Sequence, residues 1–413
     1  MPGVTAASMS ARSARSAREL WTGGGLSGNA RRVAETLRTR GGSTRAELIA
    51  TTGLSRPTVS ATLADLAAAG LVAEETGTAT PSGGRPASVV RLARRAGLAV
   101  GVDLGRRHIQ VAVADLGHRV LAERTNRLDS GSDSDDHPVE VLDRAATMIG
   151  SALTDLGAGR DAVVGVGLGI PVPITRTGQI GSTALMPAWA SLSPAEELAG
   201  RVDMPVWVDN DANLGALGEY VWGAGGGCSV LVFIKLATGI GSGILLDGRL
   251  FRGSIGTAGE LGHVTLDARG PVCRCGNRGC VELSAGGRAL LHNVRATHPE
   301  VRELGELVAR AEAGDPVCRR LLSDAGTELG IALGSLVNLL NPERIVLGGD
   351  LGRAALMIEP LRRGLANTGM PAAVAAVEVV PAELGERAAA LGGVALVLKA
   401  AEHAASHFAA VPA

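Results

Sequence analysis

Aromatic side chains are nearly missing from this chain. Three Phe, four Trp and one Tyr make up 2% of 413 residues, so Leu, Val, Ala and Ile must fill the interior. Hydrophobic residues still reach 46%, enough for a large core, and the length calls for two or three domains. Long apolar runs are also lacking. No stretch approaches the roughly 20 residues of a membrane helix, and the first residues carry no apolar signal core. A cytoplasmic protein without a membrane partner is expected. Lysine is absent from residues 1–95, yet this segment holds 13 Arg against 6 Asp and Glu, a net of +7; the other 27 basic and 35 acidic residues give −8. The formal total of −1 therefore hides a basic segment suited to a polyanion. Arg12, Arg15 and Arg18 lie in a Ser/Ala-rich stretch over 1–28, read as a disordered, DNA-touching arm in preference to a transit peptide.

Apolar residues recur at helical spacing from Asn29 to Arg40 (Ala30, Val33, Ala34, Leu37), and Gly41-Gly42 stops the helix. A second short helix is capped by Ser43 or Thr44, with Glu47 at the third position if Thr44 is the cap, and Gly53 turns the chain. Ser55-Arg56-Pro57-Thr58 opens a third helix, where the missing N–H of proline costs nothing. Val59, Leu63 and Leu66 form its buried stripe. Leu71-Val72 and Ser88–Leu92 read as two strands joined by a Gly-rich tip. Three helices followed by a β-ribbon resemble a winged helix-turn-helix over 29–95. In that arrangement the third helix enters the major groove, so Arg56, Thr58, Ser60 and Thr62 are candidate DNA contacts, with Arg85 at the wing tip. The alternative is an Arg-rich protein-interaction module.

Past Arg95, strands alternate with helices, as in an α/β body. Leu98–Leu104, Ile109–Asp115 and Arg119–Glu123 form a meander, Val139–Leu156 a helix and Val163–Leu168 a further strand. The pattern restarts with a hairpin, Val230–Lys235 and Gly243–Leu246, and continues to the strand Arg344–Leu347. Two strand-rich halves suggest a duplicated fold with a ligand between lobes. The acidic loop Asp129–His137 lacks the spacing of a calcium loop.

The strongest chemical signal is His263 followed by Cys273, Cys275 and Cys280. One imidazole and three thiolates suit tetrahedral zinc, and the intervening glycines let the sulfurs converge. Two disulfides would need another partner and an oxidising compartment. Cys228 and Cys318 read as ordinary buried thiols. Four protein ligands leave no open position, so the metal is structural. Its effect is positional: it orders Glu260 and Glu282 and leaves the second His263 nitrogen for a hydroxyl.

These residues also carry a family resemblance. Glu260-Leu261-Gly262-His263, Cys273 through Glu282, and Val208-Asp209-Asn210-Asp211-Ala212-Asn213 resemble the motifs of the ROK (repressor/ORF/kinase) family across about 98–400, leaving 401–413 as a tail. The resemblance implies an actin/hexokinase-like two-lobed α/β fold, a structural zinc loop, and a hexose-type ligand held by Asn210, Asp211, Glu260, His263 and Glu282, with Thr183 nearby. In a family kinase the residue at Asp211 would take the proton of the accepting hydroxyl.

On the phosphate side the chain departs from the kinase pattern. Thr238, Gly239 and Gly241 match one glycine turn, and Gly348-Gly349 resembles the adenosine-side motif. The first loop, however, reads Asp103-Leu104-Gly105-Arg106-Arg107 where family kinases have D-x-G-G-T. Val172 also replaces a glycine beside the sugar pocket. The expectation is a sugar-responsive transcriptional regulator, a homodimer or homotetramer on operator DNA that does not use ATP and Mg²⁺. The alternative is an ATP-dependent sugar kinase carrying a DNA-binding domain.

Overall fold

Reciprocal capping fixes the first turns of the chain's helix-turn-helix. The structure is a computed structural model that describes Trp21, Leu26 and residues 28–76, 88–128, 137–182 and 184–399. Arg85, Thr183 and the 1–20 and 401–413 segments lie outside these residues. The chain divides into two compact units; residues to Ala99 join Ala114–Arg119 and Gly157–Gly165 in the first, and the rest form the second.

In the first unit, α1 (Gly28–Arg40) buries Val33, Ala34 and Leu37. Thr44 caps α2 (Arg45–Thr52): its hydroxyl accepts the Glu47 N–H at 3.2 Å, and the Glu47 carboxylate accepts the Thr44 N–H at 2.7 Å. Those hydrogen bonds hold the Glu47 carboxyl below its usual range. Gly53, at φ 67°, closes the turn, and Ser55 caps α3 (Arg56–Ala68) with Pro57 in its first turn. Strand β1 (Ser43–Thr44) pairs with β3 (Ser88–Leu92), which also pairs with β2 (Val72–Thr76). The expected ribbon is therefore present with a short third strand added. One expectation is corrected. Thr62 is only 7% exposed and turns inward with Val59, Leu63 and Leu66, because positions three and four apart share a helix face. Also in this unit, the His118 ring lies 2.6 Å, by Nε2, from the Arg38 carbonyl, and Gly41 leaves it room.

Two five-stranded sheets build the body. The first contains β4 (Leu98–Gly105), β5 (His108–Asp115), β6 (Val120–Arg127), β7 (Val163–Ile170) and β8 (Val206–Asn210), in the order β6-β5-β4-β7-β8. The second contains β9 (Val230–Leu236), β10 (Ile240–Leu246), β11 (Arg249–Leu250), β12 (Arg344–Gly348) and β13 (Glu378–Pro381), in the order β11-β10-β9-β12-β13. Numbered within each half, both sheets run third, second, first, fourth, fifth. The duplication expected from sequence is real at the level of strand order. Strands β8, β11 and β13 did not appear in the sequence reading; β11 and β13, two and four residues long, are too short to display a period, and β8 runs directly into the helix that begins at Asp211.

Helices α4 (Pro138–Asp155) and α5 (Pro194–Val202) belong to the first half, and α7 (Gly287–Val294), α8 (Leu304–Glu312), α9 (Pro316–Leu340) and α10 (Ala355–Thr368) to the second. The helix following the fifth strand has a counterpart in each half: α6 (Asp211–Trp222), which follows β8, packs against α11 (Ala388–Leu398), which follows β13. Every residue of α11 is buried. A side chain at Gly392 would sit 1.7 Å from the Leu214 carbonyl oxygen, so the crossing requires glycine. Aliphatic side chains such as Val232, Ile234, Leu322, Leu333 and Leu361 fill the core of the second half, as the scarcity of aromatics demands.

Candidate functional site

Both sheets carry functional side chains at their strand ends, and these converge on a cleft of about 490 Å³ in the second unit. Asn210, the N-cap of α6, accepts the N–H groups of Ala212 and Asn213 and donates to the Val172 carbonyl at 3.1 Å. Its amide thereby fixes both the helix start and the proline loop. Beside it, Asp209 is buried against the Arg252 guanidinium at 2.7 and 2.9 Å, a pair the sequence reading passed over. Asp211, 5% exposed, then projects from the first turn of α6 into the cleft.

Glu260, His263 and Glu282 face the same space. The His263 ring is divided between two tasks. Its Nδ1 lies 3.7 Å from Cys273 Sγ, while its Nε2 lies 3.9 Å from Glu260 Oε2. Burial, with Asp211 and Glu282 nearby, pushes the Glu260 carboxyl up to about 7. Glu282 accepts the Ile240 N–H at 3.0 Å and faces Arg274 at 3.4 Å.

Donor atoms of His263, Cys273, Cys275 and Cys280 all lie within 4.8 Å of one another. Cys275 and Cys280 Sγ are 3.7 Å apart, close to the edge of about 3.8 Å that zinc–sulfur bonds of ~2.3 Å give at a tetrahedral angle. Burial and the neighbouring thiols push Cys280 up to about 12, a penalty that a cation at the centre would reverse. Burial also lowers His263, favouring the neutral imidazole that a metal binds. The cluster is compatible with a structural zinc.

The phosphate side differs. Asp103, Gly105, Thr238, Gly239, Gly241 and Gly349 line the cleft, but Gly348 does not; a Cβ added there would lie 2.6 Å from the Phe233 ring. His108 folds over Gly105, where an added Cβ would lie 2.2 Å from the ring, and its Nε2 is 2.9 Å from Asp103 Oδ2. Arg107 pairs with Glu303 at 2.7 Å. At the second turn the Glu282 carboxylate already occupies the Ile240 N–H, a donor of the kind that phosphate binding would use. Both turns are thus contacted by the chain's own side chains.

Sequence reading also missed Lys235. Its Nζ lies 2.7 Å from Asp211 Oδ2 and 3.9 Å from Asp103 Oδ2. The available signal was one cation near the end of an otherwise apolar strand, in a chain whose only lysines are Lys235 and Lys399.

In the first unit, Arg56 is exposed at the start of α3, Thr58 is half-buried and bonded to Ser55, and Ser60 stands 3.4 Å from the Arg45 guanidinium. Arg45 also pairs with Glu74.

Comparison with known proteins matches two families along the chain. Residues 24–98 match the MarR family model, and residues 99–400 match that of the ROK family. The chain is 30% identical over 356 residues to the xylose repressor of Bacillus spizizenii, covering 86% of this chain and 91% of that protein. It is 31% identical over 316 residues to the glucokinase of Thermotoga maritima, covering 72% and 96%. Among solved structures, a ROK family transcriptional regulator described as a homolog of the E. coli Mlc protein has a TM-score of 0.70 at 26% identity, covering 90% of this chain and 95% of that one. A ROK family glucokinase from Streptomyces griseus with glucose and AMPPNP has a TM-score of 0.60 at 28% identity, covering 73% and 99%. The chain belongs to the ROK family and joins that family's sugar-kinase-like body to an N-terminal MarR-type winged helix-turn-helix.

Proposed function

We propose that the protein is a sugar-responsive transcriptional repressor: the winged helix binds operator DNA, and the cleft reads a pyranose sugar as effector without phosphorylating it. One observation carries this reading, namely that Asp211, Glu260, Glu282 and His263 Nε2 converge on a cleft in a chain that also holds a DNA-binding fold. Paired carboxylates accept adjacent hydroxyls, and His263 adds a ring nitrogen whose orientation the metal cluster sets. Zinc holds Cys273, Cys275, Cys280 and His263 Nδ1 and serves a structural purpose. Asn210 orders the start of α6 and can offer its remaining amide hydrogen. The relatives named xylose repressor and glucokinase make xylose and glucose the first sugars to test.

DNA binding rests on Arg56, Thr58 and Ser60 at the start of α3, with Arg45 beside them and Arg85 as the wing contact. A homodimer or homotetramer in the cytoplasm would present paired recognition helices to a roughly palindromic site, and ligand-linked coupling of a few kcal/mol would suffice to release it.

Gel-shift titration on the protein's own promoter region tests the reading. A sugar should weaken operator binding by roughly tenfold or more, and Glu260→Gln should remove that response while leaving sugar-free binding within about twofold. Operator binding unchanged by every sugar tested would overturn it. Measurable ATP-dependent turnover, abolished by Asp211→Asn, would favour the kinase reading instead.

A further inference from the structure

Lysine is an unexpected residue at the bottom of this cleft. Strand β9 alternates, with Ile234 and Leu236 in the core and Lys235 lining the cleft between them. Its cross-strand neighbours on either side are both glycine, Gly241 on β10 and Gly348 on β12, so no flanking side chain competes for the space. The Lys235 side chain is only partly buried, 19% exposed, and the hydration its ammonium loses there must be replaced by paired charges. Here it is hydrogen-bonded to Asp211 and also faces Asp103, which the His108 ring touches from the other side.

Two facing carboxylates in a sugar-kinase-like cleft need a cation, and in phosphoryl transfer a divalent metal commonly meets that need. We propose that Lys235 is a built-in replacement for that metal, holding Asp103 and Asp211 together so that the cleft binds an uncharged sugar with no requirement for magnesium or nucleotide. Geometry and charge together carry the argument. The ammonium occupies the space between the two carboxylates, and its bond to Asp211 Oδ2 engages an oxygen that a metal or an accepting hydroxyl would otherwise use. Charge balance agrees, because seven carboxylates line the cleft against four guanidiniums and this one ammonium, a net-negative lining that disfavours a further anion. The Asp103 carboxyl is held low by Lys235 and His108 in spite of complete burial, as a permanently charged partner requires. Finally, Asp103 Oδ1 is buried with no hydrogen-bond partner, so removing the ammonium would leave acceptor oxygens ready for a metal ion.

This inference rests on the reading of the cleft as a sugar receptor, so its test is chosen to run without sugar. Mn²⁺ is titrated into the full-length, zinc-loaded protein and followed by the electron paramagnetic resonance of the free ion. Wild type should retain none at the cleft, whereas Lys235→Met should gain one equivalent with at least roughly tenfold tighter binding, lost again on adding Asp211→Asn. Lys235→Gln provides a second variant if the first does not fold. Mn²⁺ held by the wild-type cleft and displaced by Asp211→Asn would overturn the proposal. So would folded, DNA-binding Lys235 variants that acquire no metal. A separate titration with xylose or glucose should give the same affinity with and without magnesium-ATP; a tenfold change would also count against it, while failure of every sugar to bind would strike only the receptor reading.

Discussion

The two halves of the body have the same strand order but unlike turns. In the first half the β4–β5 turn carries Arg106 and Arg107 and is covered by His108, which leans on Asp103. In the second half the β9–β10 turn stays small, and Gly239 lets the Glu282 carboxylate approach until an added Cβ would lie 2.4 Å from Oε2. One turn is filled, and the other supports a ligand-facing acid. Strand order is set by backbone pairing and core burial, which these turn residues do not touch. Equivalent topology therefore leaves the chemistry of each turn free to diverge.

Four substitutions would break or sharpen that comparison. The largest effect is expected where the halves meet. Gly392→Ala forces a methyl against the Leu214 carbonyl, with backbone on both sides, and should cost about 3 kcal/mol or more, read as a lower midpoint in denaturant unfolding. Cys280→Ser should come next, confined to the second half: it should release the equivalent of zinc measured by elemental analysis, and sugar should no longer raise the melting temperature. Retention of metal and response would show that the cluster is not what orders Glu260 and Glu282. The smallest effects come from a matched pair at the two turns. Gly105→Ala meets an imidazole that must swing off Asp103 and should cost roughly 1–3 kcal/mol with little change in sugar affinity. Gly239→Ala meets only the flexible end of Glu282 and should cost less stability but more affinity. Equal effects of both on both measurements would erase the distinction between the turns.

Much of this was legible in the chain. Caps and periodicity gave the three helices of the DNA-binding unit nearly to the residue, since Thr44–Glu47 and Ser55–Pro57 are local signals that tertiary packing does not override. The cluster of His263, Cys273, Cys275 and Cys280 was legible for a similar reason: they lie close in sequence with glycines between them, and their donor atoms come within 4.8 Å of one another. What escaped depends on distant parts of the chain. Thr62 looks like a polar recognition residue until α3 is rotated against its neighbours, and it then belongs to the buried stripe. Gly348 reads as part of a nucleotide motif until the Phe233 ring is seen within 2.6 Å of where an added Cβ would lie. Lys235 acquires meaning only when Asp103 and Asp211, respectively 132 and 24 residues away in sequence, arrive beside it.

The repeated strand order also bears on how such a molecule changes over generations. A doubled scaffold holds its stability in the sheets and in the crossing of α6 with α11, and keeps its reactive groups on the connections between strands. Substitutions on those connections can accumulate without unsettling the interior, so descendants of one ancestral pair of halves can part ways, some turning a substrate over and others only registering its presence.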